Sequence, residues 1–299
     1  MKAKIIILPL LAALLMAFSF SCATVSEIGA GVLQATGFVD ANQAEAIKKT
    51  GVAWGKTFEQ ITPEQEYYIG RAVAANVLSM YKIDNSKPKM VLYINKICNA
   101  LLVNSPRPEI FNGYHVNILD SDEINAFATP GGHIFLTRAI IATTSSEDTL
   151  AAVIAHEISH IQLEHGLKAI KNSRITQALT ATGSTAVNVG TGVDVEELAG
   201  TFGLSVDEIV TTMVTKGYSR SQEYDADSTA MALMSLAGYE PSSLVDMLKV
   251  LEKNQGEHPG GFNKTHPTPA QRITNAQKTA GKYKVPDTRS FRTARFSAL

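Results

Sequence analysis

One segment constrains the fold of this chain more than any other, the pentapeptide His156-Glu157-Ile158-Ser159-His160 inside an apolar stretch. Apolar residues around it recur every three or four positions, which predicts a buried helix that begins near residue 145. These residues are Leu150, Val153, Ile154, Ile158 and Ile161. Ser145 and Asp148 are predicted to form the capping box that begins this helix. Because positions four apart share one face of a helix, His156 and His160 can present two imidazoles to a single ion.

The residue types in this pentapeptide predict a metal site. Zinc binds imidazole and carboxylate ligands in a tetrahedral array, and a catalytic zinc site keeps one position for water or substrate. Glu157 projects beside the two imidazoles, where its carboxylate can hold the water that the ion acidifies. The alternative is a surface helix that carries two histidines by chance, and the motif alone leaves that alternative open. We expect one Zn²⁺ per chain, bound at His156 and His160.

A third ligand is expected from a second predicted helix, which ends near Gly238. Glu223 and Asp227 are four residues apart on it and share a face. Glu223 can bind the ion, while Asp227 can accept a hydrogen bond from a ligand histidine and so fix its tautomer. The alternative is a solvated face, because acids on helices are usually exposed. His165 lies five residues after His160, off the ligand face, and is predicted to pack behind the ligands or to be structural.

Clear start signals predict further helices before this region. Thr62 and Gln65 form a capping box, which predicts a helix from residue 63 to about residue 80. A second helix is predicted over 90–103. Residues 22–60 have little pattern and are predicted to form a tether with a short amphipathic helix.

The predicted strands are few and short. Apolar runs at 116–119 and 134–136 predict two strands, joined through the turn residues at 129–132. From residue 145 onward nearly every segment has a helical pattern, except a Gly/Thr-rich stretch at about 180–192. We therefore predict an α+β domain that is mostly helical, with a small sheet beside the pentapeptide helix.

Composition excludes several classes of protein. A chain of 299 residues with 45% apolar and 18% charged side chains is not collagenous, coiled-coil or fully disordered. Its 27 basic and 28 acidic side chains give no basic surface for nucleic acid, so no nucleic-acid partner is expected. Two cysteines cannot form a disulfide-rich scaffold or a Cys-rich zinc cluster. Cys98 is predicted to be a small buried hydrophobic residue.

The two ends of the chain are predicted to lie outside the folded domain. Two lysines precede the uncharged stretch 5–20, which is shorter than the roughly 20 residues of a membrane-spanning helix and is typical of an export signal. Ser21 precedes Cys22, as at the processing site of a bacterial lipoprotein. A lipoprotein signal peptide at 1–21 and lipidation of Cys22 are therefore predicted, with ordinary cleavage or an uncleaved anchor as the alternatives. The basic residues 278–299 predict a poorly ordered tail.

Several motifs occur together in an order that is typical of one family. They are His156-Glu157-Ile158-Ser159-His160, Ser219-Arg220 with Glu223 and Ala226-Asp227, Ala237-Gly238-Tyr239, Thr265-His266-Pro267, Arg272-Ile273, and Asn125-Ala126-Phe127-Ala128 with Pro130-Gly131-Gly132. In this combination, residues 61–277 resemble metallopeptidase family 48, the gluzincin family of HtpX and the CAAX prenyl endopeptidases. An export signal without further spanning segments makes the chain similar to the periplasmic lipoprotein branch of that family.

The resemblance implies a fold and a metal site. The fold would be a zincin-like (gluzincin) metallopeptidase domain over 61–277, α+β and mostly helical, with a small β-sheet beside the catalytic helix. Zinc would be held by His156, His160 and Glu223, and Glu157 would act as the general base.

The resemblance also implies residues that contact the substrate. Asn125, Ala126 and Phe127 would lie on the strand to which an extended polypeptide adds through main-chain hydrogen bonds. His266 and Arg272 would approach the metal as catalytic residues. For His266 three interpretations stay open: a donor that stabilises the tetrahedral oxyanion, a zinc ligand that keeps the resting enzyme latent, or an ordinary loop histidine without a role in catalysis.

The function implied is that of a zinc-dependent metalloendopeptidase that hydrolyses unfolded or misassembled cell-envelope proteins. The expected location is the bacterial cell envelope, lipid-anchored and facing the periplasm, and Ala23 after Cys22 favours the outer membrane over the inner one. Expected partners are polypeptide substrates, the membrane through the lipid anchor, and the outer-membrane assembly machinery. Two alternatives stay open. One is a metal-bound chaperone or assembly factor, and the other is a structural zinc protein whose closed four-ligand site never exchanges a ligand for water.

Overall fold

A computed structural model of the protein describes residues 22–37, 39–58, 60–168, 217–254, 262–266 and 269–298, with Lys171 and Val210 as isolated positions. The chain divides into two compact units: a smaller unit of residues 1–60 and 169–205, and a larger unit of residues 61–168 and 206–299. The predicted export signal and the Gly/Thr-rich stretch at 180–192 lie outside the described residues.

In the smaller unit, helices α1 (Cys22–Ala35) and α2 (Ala41–Phe58) pack against each other. Ala30 of α1 and Ala44 of α2 are fully buried. The sequence predicts one short helix after a tether, whereas the structure has two helices joined by a turn at Gly37. Gly37 has a φ of 73°, which only glycine adopts without strain.

The larger unit contains a three-stranded sheet of β1 (His115–Leu119), β2 (Ala126–Ala128) and β3 (His133–Thr137). Their order is β1-β3-β2, with β1 parallel and β2 antiparallel to β3, so β2 lies at an edge. The two strands predicted from apolar runs, β1 and β3, are confirmed. A strand of three residues is too short to show a period of two, and only the family resemblance indicates β2.

Two helices precede the sheet, and both predictions are confirmed. Helix α3 (Pro63–Met80) begins at the predicted capping box of Thr62 and Gln65, and α4 spans Pro88–Leu102. Helix α3 approaches the short turn at 130–132 very closely. A Cβ atom added to Gly70 would lie 1.6 Å from the carbonyl oxygen of Pro130, so this position of α3 accommodates no side chain.

The pentapeptide lies on α6 (Glu147–Gln162), which follows the short helix α5 (Arg138–Thr143). Helix α6 is buried from Glu147 to Ile161 and packs against β2 on one side and α4 on another. The predicted capping box was wrong by one position. Ser146 and Thr149 form it, because Ser146 accepts the Thr149 N–H and the Thr149 hydroxyl oxygen accepts the Ser146 N–H.

The C-terminal part is helical, with α7 (Arg220–Leu236), α8 (Ser243–Lys253), α9 (Phe262–Thr265), α10 (Pro269–Ala280) and α11 (Arg289–Phe296). Helix α7 ends where predicted, with Gly238 in the left-handed region. The expectation of a poorly ordered tail was wrong, since α11 packs on α6 and buries Arg292 against Asp148. Cys98 is buried as predicted, and burial raises the pKa of its thiol to about 12.

Within the described ranges, none of the helices has the length and apolar character needed to cross a membrane.

Candidate metal centre

Four side chains converge at the centre of the larger unit. They are His156, His160, Glu223 and His266, and one ligand-type atom of each lies within 4.8 Å of the others. The Nε2 atoms of His156 and His160 are 3.1 Å apart, and each is 3.5 Å from a carboxylate oxygen of Glu223. The Nδ1 atom of His266 is 3.1 Å from Glu223 Oε1 and 3.3 Å from His156 Nε2.

Two packed helices and a short loop hold these groups. Helix α6 presents His156 and His160 one turn apart, and α7 packs directly on α6. A capping box between Ser219 and Gln222 begins α7, so that Glu223 lies in its first turn. His266 follows α9, and its N–H donates to the Phe262 carbonyl. All four side chains are buried.

This set of donors fits a divalent metal ion. The Nε2 atoms of His156 and His160, the Nδ1 atom of His266 and the carboxylate of Glu223 lie close together, and imidazole nitrogens with a carboxylate are the ligand types that zinc binds. Glu157, the next residue along α6, supports the same conclusion. Both of its carboxylate oxygens are buried, and neither has a hydrogen-bond partner within the described part of the chain. Its ionisable neighbour is His266, whose Nε2 atom lies 3.7 Å from Glu157 Oε1, too far for a hydrogen bond.

The two carboxylates of the site differ in electrostatic environment. Burial raises the pKa of Glu157 above its ordinary value. Burial also raises the pKa of Glu223, but the neighbouring His266 and Arg272 outweigh it and hold that pKa well below its usual range. Glu223 is therefore a carboxylate that stays ionised, as a metal ligand must be.

The two imidazoles of α6 also differ. Burial and the Arg272 guanidinium lower the pKa of His156, but hydrogen bonds to Asp227 and Glu223 outweigh them and raise it to about 9. Burial and the nearby His156 hold the pKa of His160 well below its ordinary value. Only His156 has a carboxylate bonded to its outer nitrogen, since His156 Nδ1 lies 3.0 Å from Asp227 Oδ1.

Arg272 lies among the acidic groups rather than beside Glu157. Its Nε and Nη2 atoms donate to the two oxygens of Asp227, at 2.9 and 2.6 Å, and its Nη1 atom is 2.9 Å from Glu223 Oε2. Arg272 is fully buried, so this cation offsets two buried negative charges. Arg272 therefore lies at the site, as the family resemblance implies, and its guanidinium contacts the carboxylates of Asp227 and Glu223.

The predicted substrate residues lie beside the metal site. Asn125 is buried, and its side-chain oxygen accepts the Ala126 N–H at 2.9 Å and the Thr265 hydroxyl at 3.4 Å. This oxygen therefore links the start of β2 to the loop that carries His266. A small cleft lies beside β2. It is lined by Val73, Val77, Ala126, Phe127, Ala128, Thr129, Tyr218 and His266.

Sequence reasoning missed two aromatic residues that pack on the cluster. The Tyr218 ring stacks on His160, with centroids 4.1 Å apart and planes at 17°, and the Phe262 ring stacks on His266, at 4.1 Å and 18°. Burial, followed by the nearby carboxylates Glu157 and Glu223, raises the pKa of Tyr218. Tyr218 directly precedes Ser219-Arg220, and this position next to a family motif is the only sequence signal that could have indicated it.

A comparison with family models agrees with this geometry. The model described as "Peptidase family M48" matches residues 89–280, which is more than half of the chain. The chain belongs to peptidase family M48. Members of this family are metal-dependent peptidases with a zincin-like fold, and the predicted fold class is confirmed.

Curated relatives belong to the same group of enzymes. The chain is 28% identical over 205 residues to a beta-barrel assembly-enhancing protease of Yersinia pestis, a match that covers 68% of this chain and 41% of that protein. It is 22% identical over 227 residues to the mitochondrial metalloendopeptidase OMA1 of Schizosaccharomyces pombe, a match that covers 75% of this chain and 63% of that protein. It is 30% identical over 172 residues to a protease HtpX homolog of Acidiphilium cryptum, a match that covers 52% of this chain and 56% of that protein. The chain spans about half the length of the beta-barrel assembly-enhancing proteases that it matches.

Proposed function

We propose that this M48 chain is a zinc-dependent metalloendopeptidase that cleaves unfolded or misassembled polypeptides of the cell envelope. The observation that carries the proposal is the convergence of two imidazoles and a distant carboxylate beside Glu157, whose oxygens accept no hydrogen bond from the described residues and contact His266 Nε2 only at 3.7 Å. A closed structural metal site would not need such a buried carboxylate next to its ligands.

In this proposal His156, His160 and Glu223 hold the metal, and Glu157 is the general base. When bound, a zinc ion supplies Lewis acidity towards the peptide carbonyl and lowers the pKa of water to about 7. Glu157 takes the proton of the attacking water and delivers it to the leaving amine. Burial, which raises the pKa of Glu157, suits a carboxylate that must both accept and return a proton.

Two further residues complete the proposed site. His266 would be a fourth group able to hold the metal, which its Nδ1 contacts with Glu223 and His156 support. Its imidazole could also donate a hydrogen bond to the oxyanion of the substrate. Arg272 acts as a positioning residue, since its contacts are with Glu223 and Asp227.

The proposed substrate mode is strand addition. Strand β2 pairs with β3 on one side, and within the described residues no strand pairs with its other edge. An extended polypeptide would add at that edge, beside the metal site, where the three residues of β2 are buried in the structure. Main-chain hydrogen bonds to Ala126 and Phe127 would hold many sequences, which suits unfolded substrates. The cleft beside β2, which is lined by Ala126, Phe127 and His266 among others, supports this mode.

We further propose that the chain is exported and anchored by lipid at Cys22, facing the periplasm at the outer membrane. The support is the export-signal pattern of the sequence, with Ser21 directly before Cys22. The names of the relatives from Yersinia pestis and Escherichia coli refer to beta-barrel assembly. Substrates or partners from the outer-membrane assembly machinery are proposed for this chain on that basis.

Digestion of an unfolded model protein by the mature chain tests the proposed function. Cleavage is expected with zinc, is expected to stop when a chelator removes the metal, and is expected to return when zinc is added back. Binding of the unfolded protein without any cleavage, with zinc present at full occupancy, would refute the peptidase and favour a holding function.

Replacing Glu223 by alanine is expected to lower the metal content of the purified protein far below one ion per chain. The alanine removes a ligand and also leaves Arg272 with one buried carboxylate instead of two. Metal analysis after dialysis measures this directly. Glu240→Ala on the loop before α8 is the control, because Glu240 lies outside the cluster, and it should retain the metal.

A further inference from the structure

His160 has different supporting contacts from the other ligand histidine. The outer nitrogen of His156 bonds to the Asp227 carboxylate, whereas the outer nitrogen of His160, Nδ1, lies 2.9 Å from Nδ1 of His165. On its face, the His160 ring is covered by Tyr218 at 4.1 Å. Both covering residues are buried.

The hydrogen bond between the two imidazoles fixes a tautomer. A bond between two ring nitrogens needs one proton, and Nε2 of His160 faces His156 and Glu223 in the cluster. With a metal bound at His160 Nε2, the proton belongs on His160 Nδ1, which then donates to His165. His165 Nδ1 accepts it, so a neutral imidazole takes the place that Asp227 has for His156.

The stacked Tyr218 ring restricts rotation of the His160 imidazole. A hydrogen bond at Nδ1 permits the imidazole to rotate about the bond direction, but a ring 4.1 Å away and nearly parallel prevents it. Tyr218 itself is held in place, since its N–H donates to the Thr265 carbonyl at 3.1 Å, on the segment that leads to His266.

We propose that His165 and Tyr218 are positioning residues that form an uncharged clamp on His160 and set the affinity of its nitrogen for the metal. This inference rests on the proposed metal site. A neutral acceptor raises ligand basicity less than a carboxylate does, so the two histidines contribute unequally. Loss of such an outer partner costs about 10–100-fold in metal affinity.

The test measures the zinc dissociation constant by competition with a chromogenic chelator, and the melting temperature with and without zinc. His165→Leu removes the acceptor, and Tyr218→Leu removes the ring. Each is expected to raise the dissociation constant about 10–100-fold and to reduce the stabilisation by zinc. Tyr218→Phe keeps the ring and is expected to bind zinc as the unmodified chain does.

Tyr114→Leu is the matched control, because Tyr114 is an equally buried tyrosine outside the metal cluster. It is expected to lower the melting temperature without changing the zinc dissociation constant. If Tyr218→Leu fails to fold, His165→Leu compared with His165→Gln, which retains an acceptor, gives the same test.

Two results would overturn the inference. One is unchanged zinc affinity in His165→Leu and Tyr218→Leu, and the other is an equal loss in Tyr114→Leu. If the unmodified chain binds no zinc, the proposed function itself fails, and this result is distinct because no variant is needed to see it.

Discussion

Replacing Glu157 by glutamine is expected to abolish peptide hydrolysis while the fold and the metal affinity are retained. Glutamine has nearly the same shape but cannot take a proton from water, and general-base catalysis contributes about 10²–10⁴-fold to the rate. The metal remains bound because Glu157 is not among the four converging ligand groups. Turnover of a fluorogenic unfolded substrate, together with metal analysis, measures both effects.

The same substitution is also expected to affect the melting temperature. The Glu157 carboxylate is buried, and neither of its oxygens has a hydrogen-bond partner among the described residues. A neutral amide is less costly to bury than a charge whose contact with His266 Nε2 is as long as 3.7 Å, so Glu157→Gln should melt no lower than the unmodified chain. Lower activity with a raised or equal melting temperature separates a catalytic role from general damage to the fold.

Glu252→Gln on α8 is the matched control, because it makes the same chemical change at an exposed position. It should retain full turnover. Full turnover in Glu157→Gln would instead show that Glu157 is not the general base. The convergence of the ligands would then have no catalytic explanation.

The sequence predicts local geometry well, because helix geometry fixes it. The spacing of His156 and His160 already places both imidazoles on one face, and the spacing of Glu223 and Asp227 does the same on α7. The convergence of the two helices is not local. It was expected from residue chemistry and from the family resemblance, and the 3.5 Å contacts between Glu223 and both histidines agree with it.

Contacts between residues distant in sequence could not be predicted in this way. Tyr218 and Phe262 have no spacing relation to His160 and His266, so nothing in the pattern indicates that their rings stack. The prediction of the capping box was wrong for a related reason. Two adjacent serines both have a polar residue three positions later, and the choice depends on Asp148, which bonds elsewhere.

Helix α11 is the clearest case of a contact that the sequence pattern could not predict. Its sequence is polar and basic, which is typical of an exposed tail, and a buried arginine is explicable only when its partner is known. The partners of Arg292 and Arg295 are Asp148 and Glu147 in the first turn of α6, more than 140 residues away. Glu147 also accepts hydrogen bonds from the Tyr93 and Tyr239 hydroxyls.

Replacing Arg292 by methionine is therefore expected to destabilise the larger unit strongly. Arg292 Nε donates to Asp148 Oδ2 at 2.8 Å, and its Nη1 donates to the Gly238 carbonyl at 2.9 Å. Both side chains of the ion pair are less than 10% exposed. Removing one partner of a buried pair costs about 3–5 kcal/mol, because the remaining charge stays buried without compensation. Urea unfolding measures the change in the free energy of unfolding.

Arg289→Met provides the matched control on the same helix. Arg289 pairs with Asp287, but both side chains are more than 60% exposed, and solvent-exposed pairs of this kind contribute little to stability. A second comparison isolates the buried charge. Asp148→Asn in the Arg292→Met background should recover part of the loss, because the neutral amide no longer needs the guanidinium. If Arg292→Met is as mild as Arg289→Met, α11 does not hold the start of the catalytic helix, and its buried arginine contributes nothing to the stability of the peptidase domain.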